Sequence, residues 1–99
     1  MNIHSETTDR LFETIAGLES VEECYKFFED LCTIKEIQDM AQRYDAANLL
    51  YDGVSYQKIA EQTGISSATI SRVNRCLNYG EGGYRSAIEK MKRKESGDD

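Results

Sequence analysis

The sequence predicts an all-α fold that carries a helix-turn-helix. Three observations predict it. No segment alternates apolar and polar residues with the period of two that a half-buried strand needs. Two capping boxes, Ser20-Val-Glu-Glu23 and Thr33-Ile-Lys-Glu36, mark helix starts. Around Gly64, two short helical patterns meet at a residue that can turn the chain. The 99 residues suffice for one domain with a core, placed here at residues 1–91.

The elements run in order. Ser5 or Thr8 can open a first helix with Leu11, Phe12, Ile15 and Leu18 on one side, ending within Gly17–Ser20. The Ser20 box opens a second, with Val21, Cys24, Tyr25, Phe27, Phe28 and Leu31 as its apolar positions. The Thr33 box opens the longest helix, to about Asp52, with Ile34, Ile37, Met40, Ala41, Tyr44, Ala47, Leu50 and Tyr51 facing inward. Gly53 stops it. The helix-turn-helix spans about residues 56–77. Gly80-Glu-Gly-Gly83 breaks the chain again. Tyr84, Ala87, Ile88 and Met91 suggest a short last helix. Residues 92–99, charged and poor in apolar groups, are expected to form a disordered tail.

Within the bihelical segment, Ser55 can cap the first helix and Ser66 or Ser67 the second. Gly64 can take φ > 0 and end the first. Ala60 is small enough for close helix approach, and Ile59, Ile65, Ile70, Val73 and Leu77 are spaced to be buried between the helices. The opposite face of the second helix presents Ser67, Ala68, Ser71, Arg72 and Arg75. Small residues let a backbone sit deep in a groove, hydroxyls bond phosphates or base edges, and arginine forks onto guanine or phosphate. The DNA-facing set is therefore Tyr56, Gln57 and Lys58 at the start of the first helix, with Ser66, Ser67, Ala68, Ser71, Arg72 and Arg75 on the second.

Charge qualifies this reading. The chain carries a net −6, but unevenly. Residues 1–54 hold 12 acidic and 4 basic side chains, whereas residues 55–85 hold 2 and 4. Positive potential is confined to the bihelical segment and the residues just after it, which suits a few well-placed contacts over loose electrostatic binding. Cys24, Cys32 and Cys76 lack CxxC spacing and read as thiols in a reducing compartment. No metal site is expected, since His4 is the sole histidine. No apolar run is long enough to span a membrane and no signal segment opens the chain, so no membrane partner and a cytoplasmic location are expected. No nucleophile–base pair, ligand cluster or phosphate loop suggests an enzyme.

Six of the nine aromatic residues lie in the first 51 positions, on wide apolar stripes. That excess fits a partner interface. A homodimer is the economical partner, because twofold symmetry matches palindromic half-sites.

Leu31-Cys-Thr-Ile-Lys-Glu36, Gln42-Arg43, Leu49-Leu-Tyr-Asp-Gly53, Tyr56-Gln57 and Ala68-Thr-Ile-Ser-Arg72 resemble the Trp repressor family, and more closely its YerC/YecD type. The resemblance covers about residues 20–80 and implies a Trp-repressor-like, intertwined homodimer that represses transcription. It also implies a corepressor site between the long helix and the recognition helix. Arg43 and Arg72 would stand as the two arginines that sandwich the ligand, and Thr33 would help hold its amino group. The ligand's amino group would also face position 76, where the family has serine and this chain has Cys76. Val73 stands where the family has glycine, and the turn is one residue shorter. Both substitutions weigh against tryptophan, so no cofactor is assigned and the effector is left open.

The reading is a DNA-binding transcriptional regulator, a repressor in type, working on double-stranded DNA. The alternative is a protein-interaction adaptor built on the same two helices, without DNA binding of its own.

Overall fold

A computed structural model of the chain describes residues 2–97. Six helices form among them: α1 (Glu6–Ala16), α2 (Val21–Leu31), α3 (Ile34–Tyr51), α4 (Tyr56–Thr63), α5 (Ser67–Tyr79) and α6 (Gly83–Glu95). No strand occurs among the described residues. The chain divides into two compact units, with the boundary between Ile37 and Gln38 inside α3.

The helix starts match the caps read from sequence. Ser5 Oγ accepts the Thr8 N–H at 3.1 Å and opens α1. Ser20 Oγ accepts the Glu23 N–H at 3.1 Å and opens α2. The Glu23 carboxylate reaches one residue further back than a capping box requires, to the Glu19 N–H at 2.9 Å. At α3 the box is reciprocal: Glu36 N–H donates to Thr33 Oγ1 at 3.1 Å, and Thr33 N–H donates to Glu36 Oε1 at 2.8 Å. The Thr33 N–H, and after it the Thr33 hydroxyl, favour the ionised carboxylate, so Glu36 is held below the usual glutamate range.

The N-terminal unit has no buried residue on α1 or α2. Phe12, Tyr25 and Leu31 are exposed, and Val21 and Ile34 are 73% and 74% exposed. The expected inward positions Ile34, Met40 and Ala41 on α3 are corrected by this: all three are exposed rather than buried. Periodicity finds the face that wants covering, not what covers it.

The C-terminal unit holds the core. Ala46 and Ala47 of α3, Ile59, Ile65, Ile70, Val73 and Leu77 of the bihelical segment, and Ile88 of α6 are buried together. The two alanines let neighbours approach α3 closely, and Ile59, Ile70 and Ile88 are fully buried.

The last helix corrects the expected tail. α6 continues through Glu95, beyond the boundary placed at residue 91. Lys92, Arg93 and Lys94 fill its last turn, where cations favour the negative end of the helix dipole. Lys92 also reaches Asp52 at 2.9 Å, which raises the lysine above its ordinary range. Tyr51 Oη donates to Glu89 Oε2 at 3.0 Å. Ionising the phenol would lose that hydrogen bond to Glu89 and then set two anions side by side, so Tyr51 is held above the usual tyrosine range. These pairs fasten α6 to the end of α3. Asp98 and Asp99, the last of the expected tail, lie outside the described residues.

Candidate nucleic-acid interface

The turn between α4 and α5 is built from local bonds. Ser55 Oγ accepts the Lys58 N–H at 3.3 Å and caps α4. Gly64 ends α4 at φ 74°, ψ 6°, with its N–H on the Ala60 carbonyl at 2.9 Å. Thr63 bridges the corner: its hydroxyl donates to the Ile59 carbonyl at 2.6 Å and accepts the Ile65 N–H at 3.2 Å. Ser66, one of the two serines proposed as cap, accepts the Thr69 N–H at 3.2 Å and opens α5. Ile65, Ile70, Val73 and Leu77 then bury one side of α5, which turns the other side out.

That outward side carries Ser67, Ala68, Ser71, Arg72 and Arg75, all exposed. The guanidinium groups of Arg72 and Arg75 make no ion pair or hydrogen bond with any described residue. Tyr56, Gln57 and Lys58 are exposed on the first turn of α4. Ser66 is exposed too, but its hydroxyl also donates to Thr69 Oγ1 at 3.1 Å, so capping uses most of its bonding capacity.

Behind this face lies a cleft of about 620 Å³. α3 contributes Asp39, Gln42 and Arg43; α5 and its cap contribute Ile65, Ser66, Thr69, Arg72, Val73 and Cys76; α6 contributes Tyr84. Arg43, Arg72 and Cys76, three of the four sequence-derived ligand residues, therefore meet at one cleft. Thr33, the fourth, belongs to the N-terminal unit, where it caps α3. Val73 is 3% exposed, packed in the core and set at the cleft wall.

Sequence reasoning missed Asp39, Gln42, Thr69 and Tyr84. The first two could have been found, because residues 39, 42 and 43 share one face of a helix by the i, i+3, i+4 rule. Tyr84 could not: it reaches the site by stacking on Tyr44, with ring centroids 6.4 Å apart, across a long sequence separation. Among the described residues, no group of three His, Cys, Asp or Glu side chains could hold a metal ion. No described helix is long and apolar enough to cross a membrane.

Comparison with known proteins gives one consistent result. The family model for the Trp repressor protein matches residues 6–92. The uncharacterised protein YerC of Bacillus subtilis strain 168 is 53% identical over 88 residues, covering 89% of this chain and 85% of that one. A TrpR-like protein from Eubacterium eligens superposes with a TM-score of 0.88 at 46% identity, over 91% of this chain and 93% of that one. A Trp-repressor candidate from Staphylococcus aureus gives 0.87 at 42% identity, over 91% and 90%.

Proposed function

Since the chain belongs to the Trp repressor family, we propose that it is a sequence-specific DNA-binding regulator, a repressor in type, that acts as a homodimer in the cytoplasm. One observation carries the proposal. The outward face of α5 sets small residues beside two exposed arginines with no ion pair among the described residues, on a bihelical module whose Ile59, Ile70, Val73 and Leu77 are buried in the core. An uncompensated guanidinium is poised for guanine or phosphate. Ser67, Ala68 and Ser71 would lie against base edges, and Tyr56, Gln57 and Lys58 against phosphates. With few cations per subunit, about three to six phosphates would be neutralised per dimer.

The second subunit is inferred from the N-terminal unit. Its apolar side chains Phe12, Val21, Tyr25 and Leu31 are exposed in the single chain. A second copy would cover them and set two reading helices at twofold spacing.

The cleft behind α5 is the proposed effector site, with Arg43 and Arg72 as the groups that meet the ligand's charge or ring. Arg72 borders both the cleft and the DNA face, so an occupant there could change how α5 is presented. The branched, core-packed Val73 at the cleft wall argues against tryptophan as that occupant.

The test is a binding assay on genomic fragments with the wild type and Arg75→Ala side by side. We expect a salt-sensitive, competitor-resistant complex that the variant weakens by about 1–3 kcal/mol. No such complex with the wild type would refute the proposal and favour the adaptor.

A further inference from the structure

Arg85 stands outside the helix-turn-helix, in the first turn of α6, yet its guanidinium is held in place. Its Nη2 donates to Asn78 Oδ1 on α5 at 3.3 Å. The group also lies over the Tyr51 ring, 5.5 Å from its centroid. Asn78 is itself oriented: its Nδ2 donates to the Asn74 carbonyl at 2.9 Å and to Asn74 Oδ1 at 3.0 Å. With both amide protons directed at Asn74, the Asn78 oxygen is left facing the arginine.

All of these partners are neutral. Arg85 makes no ion pair with any described residue. Glu89 is its natural partner four residues along α6, but that carboxylate accepts the Tyr51 hydroxyl instead. Arg85 remains exposed, and one of its five N–H donors is used. A cation fixed by neutral groups, with no ion pair of its own among the described residues, loses little entropy on meeting an anion. Asn78 lies three residues beyond Arg75, one helical turn along α5. The external anion nearest to hand in a DNA reader is the phosphate backbone beside the groove.

We propose that Arg85 is a phosphate anchor that extends the DNA interface past the helix-turn-helix to the α5–α6 junction, with Asn74 and Asn78 as its positioning residues. The inference rests on the DNA-reading proposal. Its test starts from a duplex selected out of a random pool by the full-length wild type, with affinities measured by anisotropy across a salt series. Arg85→Gln should weaken selected and unselected duplexes alike, by roughly tenfold. The slope of log affinity against log salt should shrink by about 0.9 per subunit. Arg85→Lys should keep that slope, because phosphate accepts a point charge. Asn78→Leu should keep the slope and lose affinity, because the charge remains but is no longer aimed.

Arg75→Ala separates the anchor from DNA reading itself. It should lower discrimination between selected and unselected duplexes. A weakened Arg75→Ala beside an Arg85→Gln of unchanged salt slope would overturn the anchor and leave DNA reading intact. A wild type that selects no duplex would overturn DNA reading and the anchor with it.

Discussion

Gly64 offers a prediction whose sign depends on chirality alone. The residue sits at φ 74°, ψ 6°, and a Cβ built on it would meet nothing within 4 Å. An L side chain there therefore brings no clash and no new packing at its Cβ. For L-alanine the left-handed conformation costs roughly 1–2 kcal/mol. Restricting the unfolded chain returns about 0.4–1 kcal/mol. The net expectation for Gly64→Ala is a loss of about 1 kcal/mol. D-alanine occupies the same region without strain and keeps the N–H bonded to Ala60, so it should stabilise by about 0.4–1 kcal/mol. The unfolded-state contribution is common to both enantiomers. Their difference of roughly 1–2 kcal/mol isolates the backbone strain. Cys32 and Cys76 flank the position and serve as ligation points for chemical synthesis of both proteins. Urea unfolding at one fixed protomer concentration measures the pair. Equal destabilisation by the two enantiomers, or a worse D-alanine, would refute the reasoning.

Gly80 should behave in the opposite way. Its φ of −84° suits any residue, but a Cβ there would collide with the Cys76 carbonyl in the backbone of α5. Gly80→Ala should destabilise by about 1–3 kcal/mol through crowding, read from urea midpoints, and D-alanine should bring no benefit like that at Gly64. Glu36 should titrate below the ordinary glutamate range in a carboxyl NMR titration. Its folded pKa is lowered, so its contribution is present above the unfolded value and lost as pH falls through the folded one. Glu36→Gln should flatten that acid-side dependence. Tyr51 should ionise above the ordinary tyrosine range in an absorbance titration. Its pKa is raised, so the Glu89 bond contributes below the ordinary tyrosine range and is lost as pH rises through the folded value. Glu89→Gln should return Tyr51 toward the ordinary tyrosine range.

Legibility in the sequence depended on how far apart the partners lie along the chain. Ser5, Ser20, Thr33, Ser55 and Ser66 were legible as caps because each bonds a residue three positions on. Gly64 and the buried set Ile59, Ile65, Ile70, Val73 and Leu77 were legible for the same reason, since period and turn chemistry are local. The end of α6 was not. Residues 92–95 look like tail by composition, and they are helical where Lys92 meets Asp52 and Tyr51 meets Glu89 across some 40 positions. The cleft was half legible: Arg43, Arg72 and Cys76 were identified, whereas Tyr84 depends on a stack with Tyr44 that no spacing announces. Ile34 shows the remaining gap, because a helical stripe does not say whose surface will cover it.

Charge and burial divide along the same line, and the division gives the two proposed steps opposite responses to salt. Residues 1–37 carry 9 acidic and 3 basic side chains, the whole net −6 of the chain, whereas residues 38–99 balance 9 against 9. The unit with no buried residue on its two complete helices is thus also the one that repels its own copy. Dimerisation through its apolar side chains must overcome that repulsion, which salt screens over about 10 Å at 0.1 M. Salt should therefore tighten the dimer. DNA binding releases counterions from phosphates, so salt should weaken it. At protomer concentrations below the dimer dissociation constant, apparent DNA affinity should rise with added salt before it falls. Well above that constant it should fall throughout. Sedimentation and anisotropy across one salt series read both steps. A monotonic fall at every protein concentration would mean either that the dimer does not rest on the acidic unit or that it never dissociates in the range measured. Sedimentation over the same range decides which.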